Sequence, residues 1–457
     1  YATRTSPAMI SDTVNAKSKK QGPPGKSIVL IGGGHAHVHV IKSYGEEPLS
    51  SLLRRNNAVL TLITNTLQTP YSGMLPGFVS GHYTSDDIHI DLAALCEYGG
   101  FKLVHASAVG VTYSERDGSG EGGGGTVLLD QGEPIPYDVL SIDVGSSPGG
   151  LPTTGRNEKM EEKSDDAGRP TSDAIPVKPI STFASRYDQL KVRLRESATT
   201  YTTSSPFTLL VVGGGAGGIE LALSCQHALK KIIQDAGGDQ GAVKIILATR
   251  GESMLESHNK KVRRIFTRIM KERDIDVRYK ANAIGIEYIE DSGGEYANRN
   301  MKVLKLSSDT EQDQPPSPIR FHECLWCTSA GAASWITHNT PLDTSKDGFI
   351  KVGNTFECVS HRGVFAAGDC CHFVEHPRPK AGVFAVRAGP PLAENIVASA
   401  LGRPLTPHKP QSDFLSLIST GDKYAVASRG RFALEGAYLW NLKNRIDTQW
   451  MKVYKKL

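Results

Sequence analysis

Along the chain, short, mainly apolar runs alternate with longer stretches in which apolar residues recur at helical spacing. Ser27–Ile31 (SIVLI), Val59–Ile63, Thr208–Val212 and Val243–Leu247 have the length and β-branching of strands buried on both faces, as in parallel sheets. The alternation predicts an α/β protein with helices packed on both faces of open sheets. Two of these strands, about 180 residues apart, run straight into a glycine cluster, so the architecture is duplicated rather than repeated at short period. Three polar stretches, 114–125, 153–173 and 307–318, cannot bury apolar surface and read as loops. No apolar run approaches the roughly 18 residues of a spanning helix.

The glycine clusters carry the chemistry. In SIVLIGGGHAHVHV the spacing is Gly32-x-Gly34-x-x-His37, between a strand and a helix. The first glycine permits a tight turn, the second lets backbone approach a pyrophosphate, and the helix N-terminus offers free N–H groups and a positive dipole. Gly32, Gly33, Gly34, His35 and Ala36 are therefore candidate dinucleotide contacts, with His35 and His37 read as turn and helix-start residues beside the phosphates. His37 stands where a third glycine normally lets helix and strand pack closely. The second cluster, FTLLVVGGGAGGIELAL, is complete: Gly213-x-Gly215-x-x-Gly218, with Ala216 opening the helix. The strand after it ends in Thr249 and Arg250, where an acid usually meets the ribose. A missing carboxylate and a guanidinium suit a 2′-phosphate, so NADPH stands beside NADH as donor. The corresponding strand after the first cluster ends in Thr64 and Asn65, also without an acid. Downstream, HRGVFAAGDCCHF brings Gly368 and Asp369 to a small-residue turn whose carboxylate can accept hydroxyl hydrogen bonds.

Together these residues resemble the two-dinucleotide flavoproteins of the pyridine nucleotide-disulfide oxidoreductase superfamily, over nearly all of residues 27–400. TPYSGMLPG, YDVLSIDVGS, VKPI, GFIKV, VFAAGD and PKAGVFAVRAGPPLAEN look like a narrower group, found standalone or fused ahead of selenide, water dikinase and related to type II NAD(P)H dehydrogenases. The resemblance implies FAD held by Gly32, Gly34 and Asp369, and NAD(P)H held by Gly213, Gly215 and Gly218. It implies two Rossmann-like domains, the FAD domain discontinuous: 27–200 and 346–402 around an NAD(P)H domain at 201–345, with a C-terminal α+β segment at 403–457. A helix opening at Gly382 and Val383 is expected to point its N-terminus at the flavin. Lys380, reinforcing that positive end, and Lys178 are the candidate catalytic residues.

Cysteine usage narrows the chemistry. Thr64–Tyr83, where disulfide reductases carry their redox pair, contains no cysteine, and Cys324 and Cys327 lie in a strand pattern that points i and i+3 to opposite faces. Cys370 and Cys371 read as buried structural thiols. No metal site is indicated, since His35, His37 and His39 alternate without further ligands. The second acceptor is then a small molecule, a quinone on the type II resemblance, although Val383 and Arg387 stand where those enzymes place glutamines. A redox partner in selenium metabolism and a non-catalytic nucleotide-bound scaffold are the competing readings.

Charge alters the picture at one place. The net +4 resides in residues 1–26, where Arg4, Lys17, Lys19, Lys20 and Lys26 face Asp12 alone. The body is formally neutral and has no nucleic-acid footprint. The basic, Ser/Thr-rich start reads as a disordered tail or the remnant of a plastid or mitochondrial targeting segment, with a cytoplasmic location left open. The aromatic and basic stretch from Phe432 to Tyr454 reads as a docking face against the body or a homodimer partner, or as a peripheral membrane contact.

Overall fold

The computed structural model describes residues 25–114, 123–150, 174–288, 301–307, 317–328, 330–411 and 413–457. The tail and most of the three polar stretches lie outside these; the first stretch is narrower than expected, since Ser114 and Gly124 pair across a hairpin.

In chain order, the elements that position the site begin with β1 (Ser27–Ile31), α1 (His35–Gly45), β2 (Val59–Thr64), β3 (Lys102–His105) and β4 (Val139–Ile142). The edge strand β5 (Ile175–Pro176), β6 (Phe207–Val212), α2 (Ala216–Asp235), β7 (Val243–Ala248), β8 (Asp276–Arg278) and β9 (Glu323–Trp326) follow. The chain ends with β10 (Val364–Ala366), α3 (Gly382–Ala400), β11 (Ser416–Ser419), β12 (Ala425–Arg429), β13 (Phe432–Gly436) and α4 (Ala437–Lys455).

Two five-stranded parallel sheets result. The first has the order β10-β4-β1-β2-β3, with Ile28 opposite Leu60 and Val139, and Phe365 opposite Ser141. Its last strand returns after the whole second sheet has been built, so the first unit is discontinuous. The second has the order β5-β9-β6-β7-β8. Strand alternation sorts its residues into two cores: Leu209 and Val211 pack on one face, Leu210 and Val212 on the other. All four are buried, which is why the run shows no polar alternation.

Both boundaries of the second unit fall earlier in the chain than expected. Residues 175–196, assigned from sequence to the first domain, belong to the second: β5 is the edge of its sheet, and the helix Ile180–Glu196 covers it with Phe183, Tyr187, Leu190 and Leu194. That spacing is one apolar helical stripe, and only a sheet wide enough to receive it could bury it. Likewise Ile336 and Leu342, placed in the second domain, pack in the first core.

The C-terminal segment forms an antiparallel sheet, β11-β12-β13, followed by α4. Its sheet clamps onto the second unit: Ser419 N donates to Glu220 on α2 (2.8 Å), and Gly421 lies so close that a Cβ would meet Leu223 O at 2.8 Å. Helix α4 crosses back to the first unit, burying Met451 and Tyr454 in its core. Its other side leaves Tyr438, Leu442, Ile446 and Val453 exposed beside Phe432 and Leu434 of β13. Among the described residues no helix is long and apolar enough to cross a membrane.

Candidate active site

At the first turn Gly32 takes φ +90°, a conformation strained for any residue with a Cβ. Its N–H donates to Ile63 O (2.8 Å) and that of Gly34 to Asp143 O (3.1 Å), pinning the turn between β2 and the end of β4. Asp143 then turns its carboxylate onto the start of α1, where Oδ2 accepts from Ala36 N (2.9 Å) and His37 N (3.3 Å). Gly34 has no side chain because that carboxyl is there: a Cβ would lie 2.2 Å from Asp143 Cγ. Among the described residues the N–H groups of Gly33 and His35 have no partner in the protein.

The two histidines separate. The His35 ring stacks on Tyr71 (5.3 Å) and Trp450 (5.1 Å), its Nε2 is buried without a hydrogen-bond partner, and burial lowers its pKa to about 4. His37, expected beside the phosphates, is instead folded under the turn. Its Nδ1 meets Gly32 O (2.7 Å), its Nε2 meets Ser141 Oγ (2.8 Å), and burial likewise holds it neutral, with a pKa of about 4. The small Ser141 opposite makes room for a ring where glycine is usual. Thr64 is also turned inward, its hydroxyl donating to Thr66 O at 3.2 Å.

Gly368, at φ +69°, packs against the same carboxyl; a Cβ there would lie 2.3 Å from Asp143 Oδ1. Next to it Asp369 accepts from Lys178 Nζ at 2.6 Å, and the same ammonium donates to Ser146 Oγ at 3.1 Å. Two residues singled out separately in the sequence thus meet across 191 positions. Gly382 and Val383 open α3, with Gly382 against the Tyr71–Gly73 turn: a Cβ would stand 3.1 Å from Ser72 Oγ. Lys380 does not add its charge freely to that helix end. Its ammonium donates to Cys371 O and lies 4.0 Å from the centre of the Phe349 ring. Arg387 is exposed.

The second turn differs in detail. Gly213 takes φ +133°, and a Cβ would meet Cys327 O at 2.3 Å; one on Gly218 would meet Gly213 O at 1.9 Å, which is why this spacing demands glycine. Around Gly215 there is open space within 4 Å. Helix α2 begins at Ala216 without a side-chain cap, so its N–H groups face that opening uncompensated. Thr249 is buried against Gly214, whereas Arg250 is exposed and has no partner among the described residues. Cys324 and Cys327 pack into different cores on opposite sides of the sheet. All seven cysteines are free, and burial raises the thiols of Cys96, Cys225 and Cys371 to about 12. Among the described residues no group of three His, Cys, Asp or Glu side chains is placed to hold a metal ion.

Sequence reasoning missed Asp143 and a polar cluster where α4 reaches the first turn. Lys443 Nζ donates to Gly73 O (2.6 Å) and to Asp447 (2.8 Å); both side chains are nearly buried, and burial pushes the Asp447 carboxyl up. Glu220, also pushed up by burial, lies on α2 nearby. The i,i+4 spacing of Lys443 and Asp447 was visible, but not which side of the helix is covered.

Two glycine turns at the ends of parallel strands, one closed by a returning Gly-Asp turn, define a flavin- and nicotinamide-dinucleotide protein. Residues 26–395 match the family described as pyridine nucleotide-disulphide oxidoreductase, and the chain belongs to that family. A curated relative, oxidoreductase ptaL of Pestalotiopsis fici, is 22% identical over 427 residues, covering 90% of this chain and 93% of the relative. Among solved structures, the sulfide:quinone oxidoreductase of Aquifex aeolicus superposes with a TM-score of 0.67 at 16% identity, covering 94% of this chain and 92% of that one. NDH2 of Plasmodium falciparum, in complex with NADH, superposes with a TM-score of 0.64 at 12% identity, covering 94% and 98%.

The protein is an FAD-dependent NAD(P)H oxidoreductase. The residues present fit both nucleotides. The unpartnered N–H groups of Gly33 and His35, the orphaned His35 Nε2 and the paired Gly368-Asp369 turn suit FAD. The open Gly215 turn suits NAD(P)H.

Proposed function

We propose that this protein takes a hydride from NAD(P)H onto FAD and delivers the electrons to a lipophilic acceptor of the quinone class. The observation that carries the reading is α4. Its inner side brings Trp450 onto Tyr71 (4.5 Å) beside the first turn, and its outer side presents the exposed stripe of Tyr438, Leu442 and Ile446. A helix with an outward apolar stripe flanked by Arg445 and Lys452, and aromatic residues inward, would join a lipid surface to the flavin pocket. The thiols support no competing route: burial raises those of Cys96, Cys225 and Cys371 to about 12, and Thr64–Tyr83, the redox-pair position, holds no cysteine.

FAD, when bound, supplies the two-electron redox chemistry, and the protein supplies placement and electrostatics. Lys178 fixes Asp369, and with it the turn that closes on the cofactor. The uncapped start of α3 favours negative charge developing before it. Arg250, exposed after β7, would attract a 2′-phosphate and so support NADPH as a donor beside NADH.

The test is spectroscopic. The holoprotein is mixed anaerobically with NADH or NADPH, and its flavin absorbance is followed. Bleaching by the donor and recovery on adding a short-chain ubiquinone is the expected result. Recovery with a selenium or thiol compound but not with the quinone rejects this acceptor, and flavin that no donor bleaches rejects the dehydrogenase.

A further inference from the structure

Among the described residues Asp143 is the acidic side chain that hydrogen-bonds into the first glycine turn, and the sheet register puts it there. Its N–H donates to Ile31 O at 2.9 Å and its C=O accepts from Gly34 N, so backbone bonds on both sides hold the residue at the mouth of α1. Its carboxyl is wedged between Gly34 and Gly368, each of which would collide with it if it bore a Cβ. The helix end that receives a pyrophosphate is therefore already covered by a carboxylate of the protein's own chain.

Among the described residues no cation balances it. From α1 the facing groups are His35 and His37, both neutral, the latter committed to Gly32 O and Ser141 Oγ. From the turn after β10 they are Asp369, already paired with Lys178, and the Cys370 thiol, which donates to Ala367 O (3.1 Å) and Ile142 O (3.4 Å). Cys371 is an un-ionised buried thiol, and the ammonium of Lys380 is held by Cys371 O. Burial, with Asp369 adding to it, pushes the Asp143 carboxyl up to about 7 despite the two N–H donors.

A pyrophosphate diester is dianionic, and a second anion against the same helix end in a buried setting is strongly repelled. A protonated carboxyl reverses the sign. It keeps one oxygen as acceptor for Ala36 N and gives its O–H to a phosphate oxygen, a short charge-assisted hydrogen bond. We propose that Asp143 is a positioning residue for FAD that works as a neutral acid: the free protein caps α1 with the Asp143 carboxylate, and FAD binding takes up one proton and converts that cap into a hydrogen-bond donor to the pyrophosphate. The balance is one proton from solvent per FAD bound, with no covalent change. The inference rests on the FAD site and is independent of the acceptor.

The test uses protein stripped of flavin and retitrated with FAD, following flavin fluorescence from about pH 5.5 to 9. Calorimetry in two buffers of different ionisation enthalpy counts the protons taken up. The expected result is affinity that falls about tenfold per pH unit above about pH 7, with uptake approaching one proton at the alkaline end and vanishing at the acid end. Asp143→Asn keeps the shape and a donor, so its affinity should be flat with pH, without proton uptake, and at least tenfold tighter than wild type near pH 8.5. Wild-type affinity flat across the range with no uptake overturns the proposal. So does a slope that survives Asp143→Asn and disappears in His35→Gln, which would give the proton to the histidine. Should Asp143→Asn not fold, the proton count on His35→Gln decides: uptake of about one proton that persists there supports Asp143, and its loss gives the proton to the histidine.

Discussion

The two glycine turns share spacing, strand, helix and handedness, yet one is filled by the protein and the other is open. At Gly34 a carboxyl from β4 occupies the space a side chain would take; at the equivalent Gly215 nothing lies within 4 Å. The difference teaches that a glycine fingerprint reports backbone geometry and not vacancy. A cofactor that stays bound can be held by groups that compensate each other in its absence, whereas a nucleotide that must come and go is met by bare N–H groups.

Substituting the equivalent glycines is the strongest way to break this comparison. Gly34→Ala drives a Cβ into the Asp143 carboxyl and should cost roughly 3 kcal/mol or more, giving protein that purifies without flavin and melts well below wild type. Gly215→Ala should leave the melting temperature within about a degree, while raising KM for NAD(P)H about tenfold by blocking close approach of the phosphates. Equal losses of melting temperature in the two variants would erase the distinction between a filled and an open turn.

His37→Ala comes next. It removes two buried hydrogen bonds and should destabilise by about 2–3 kcal/mol in denaturant melts. It should also change the pH profile of the flavin-free protein. His35 and His37 have folded pKa values near 4, below the ordinary 6.5, so between these values the unfolded chain binds protons that the folded one refuses, and stability rises with pH. Asp143 acts oppositely, its raised carboxyl favouring the folded state until the pH passes about 7. These three groups together contribute a slope of about one proton over pH 4–6.5, and His37→Ala should lower the measured slope by about one proton.

A smaller effect sharpens the open turn: Arg250→Ala should raise KM for NADPH about tenfold and leave that for NADH nearly unchanged. An equal change for both donors would place Arg250 outside the ribose site. Trp450→Ala should be mildest, about 1 kcal/mol from the lost stack on Tyr71 and His35, read as a small drop in melting temperature.

The fold class was legible because buried parallel strands leave a dense apolar signature, and the turns because their glycines either take a positive φ or have other atoms within 2–3 Å of where a Cβ would stand. His37 was not, because its fit depends on Ser141 across the sheet. Asp143 stood in plain view at the end of VLSID, but only the register of β4 against β1 shows that it reaches the other strand's helix. The Lys178–Asp369 pair needed a fold to bring it together. For the C-terminal helix the sequence offered docking against the body or a homodimer partner and peripheral membrane contact as alternatives; the structure docks one side of the helix on the first unit and leaves the other side exposed.

That helix also sets an order of events. The pocket begun at residue 32 acquires its Trp450 wall only after more than 400 further residues have been made, with the entire second sheet inserted between. A ribosome extends the chain by some 5–20 residues per second, so the half-built first unit waits tens of seconds for its return strand and final helix. Flavin loading is thereby postponed until that helix has been made, and a chain interrupted between β10 and α4 would carry both parallel sheets yet stay colourless.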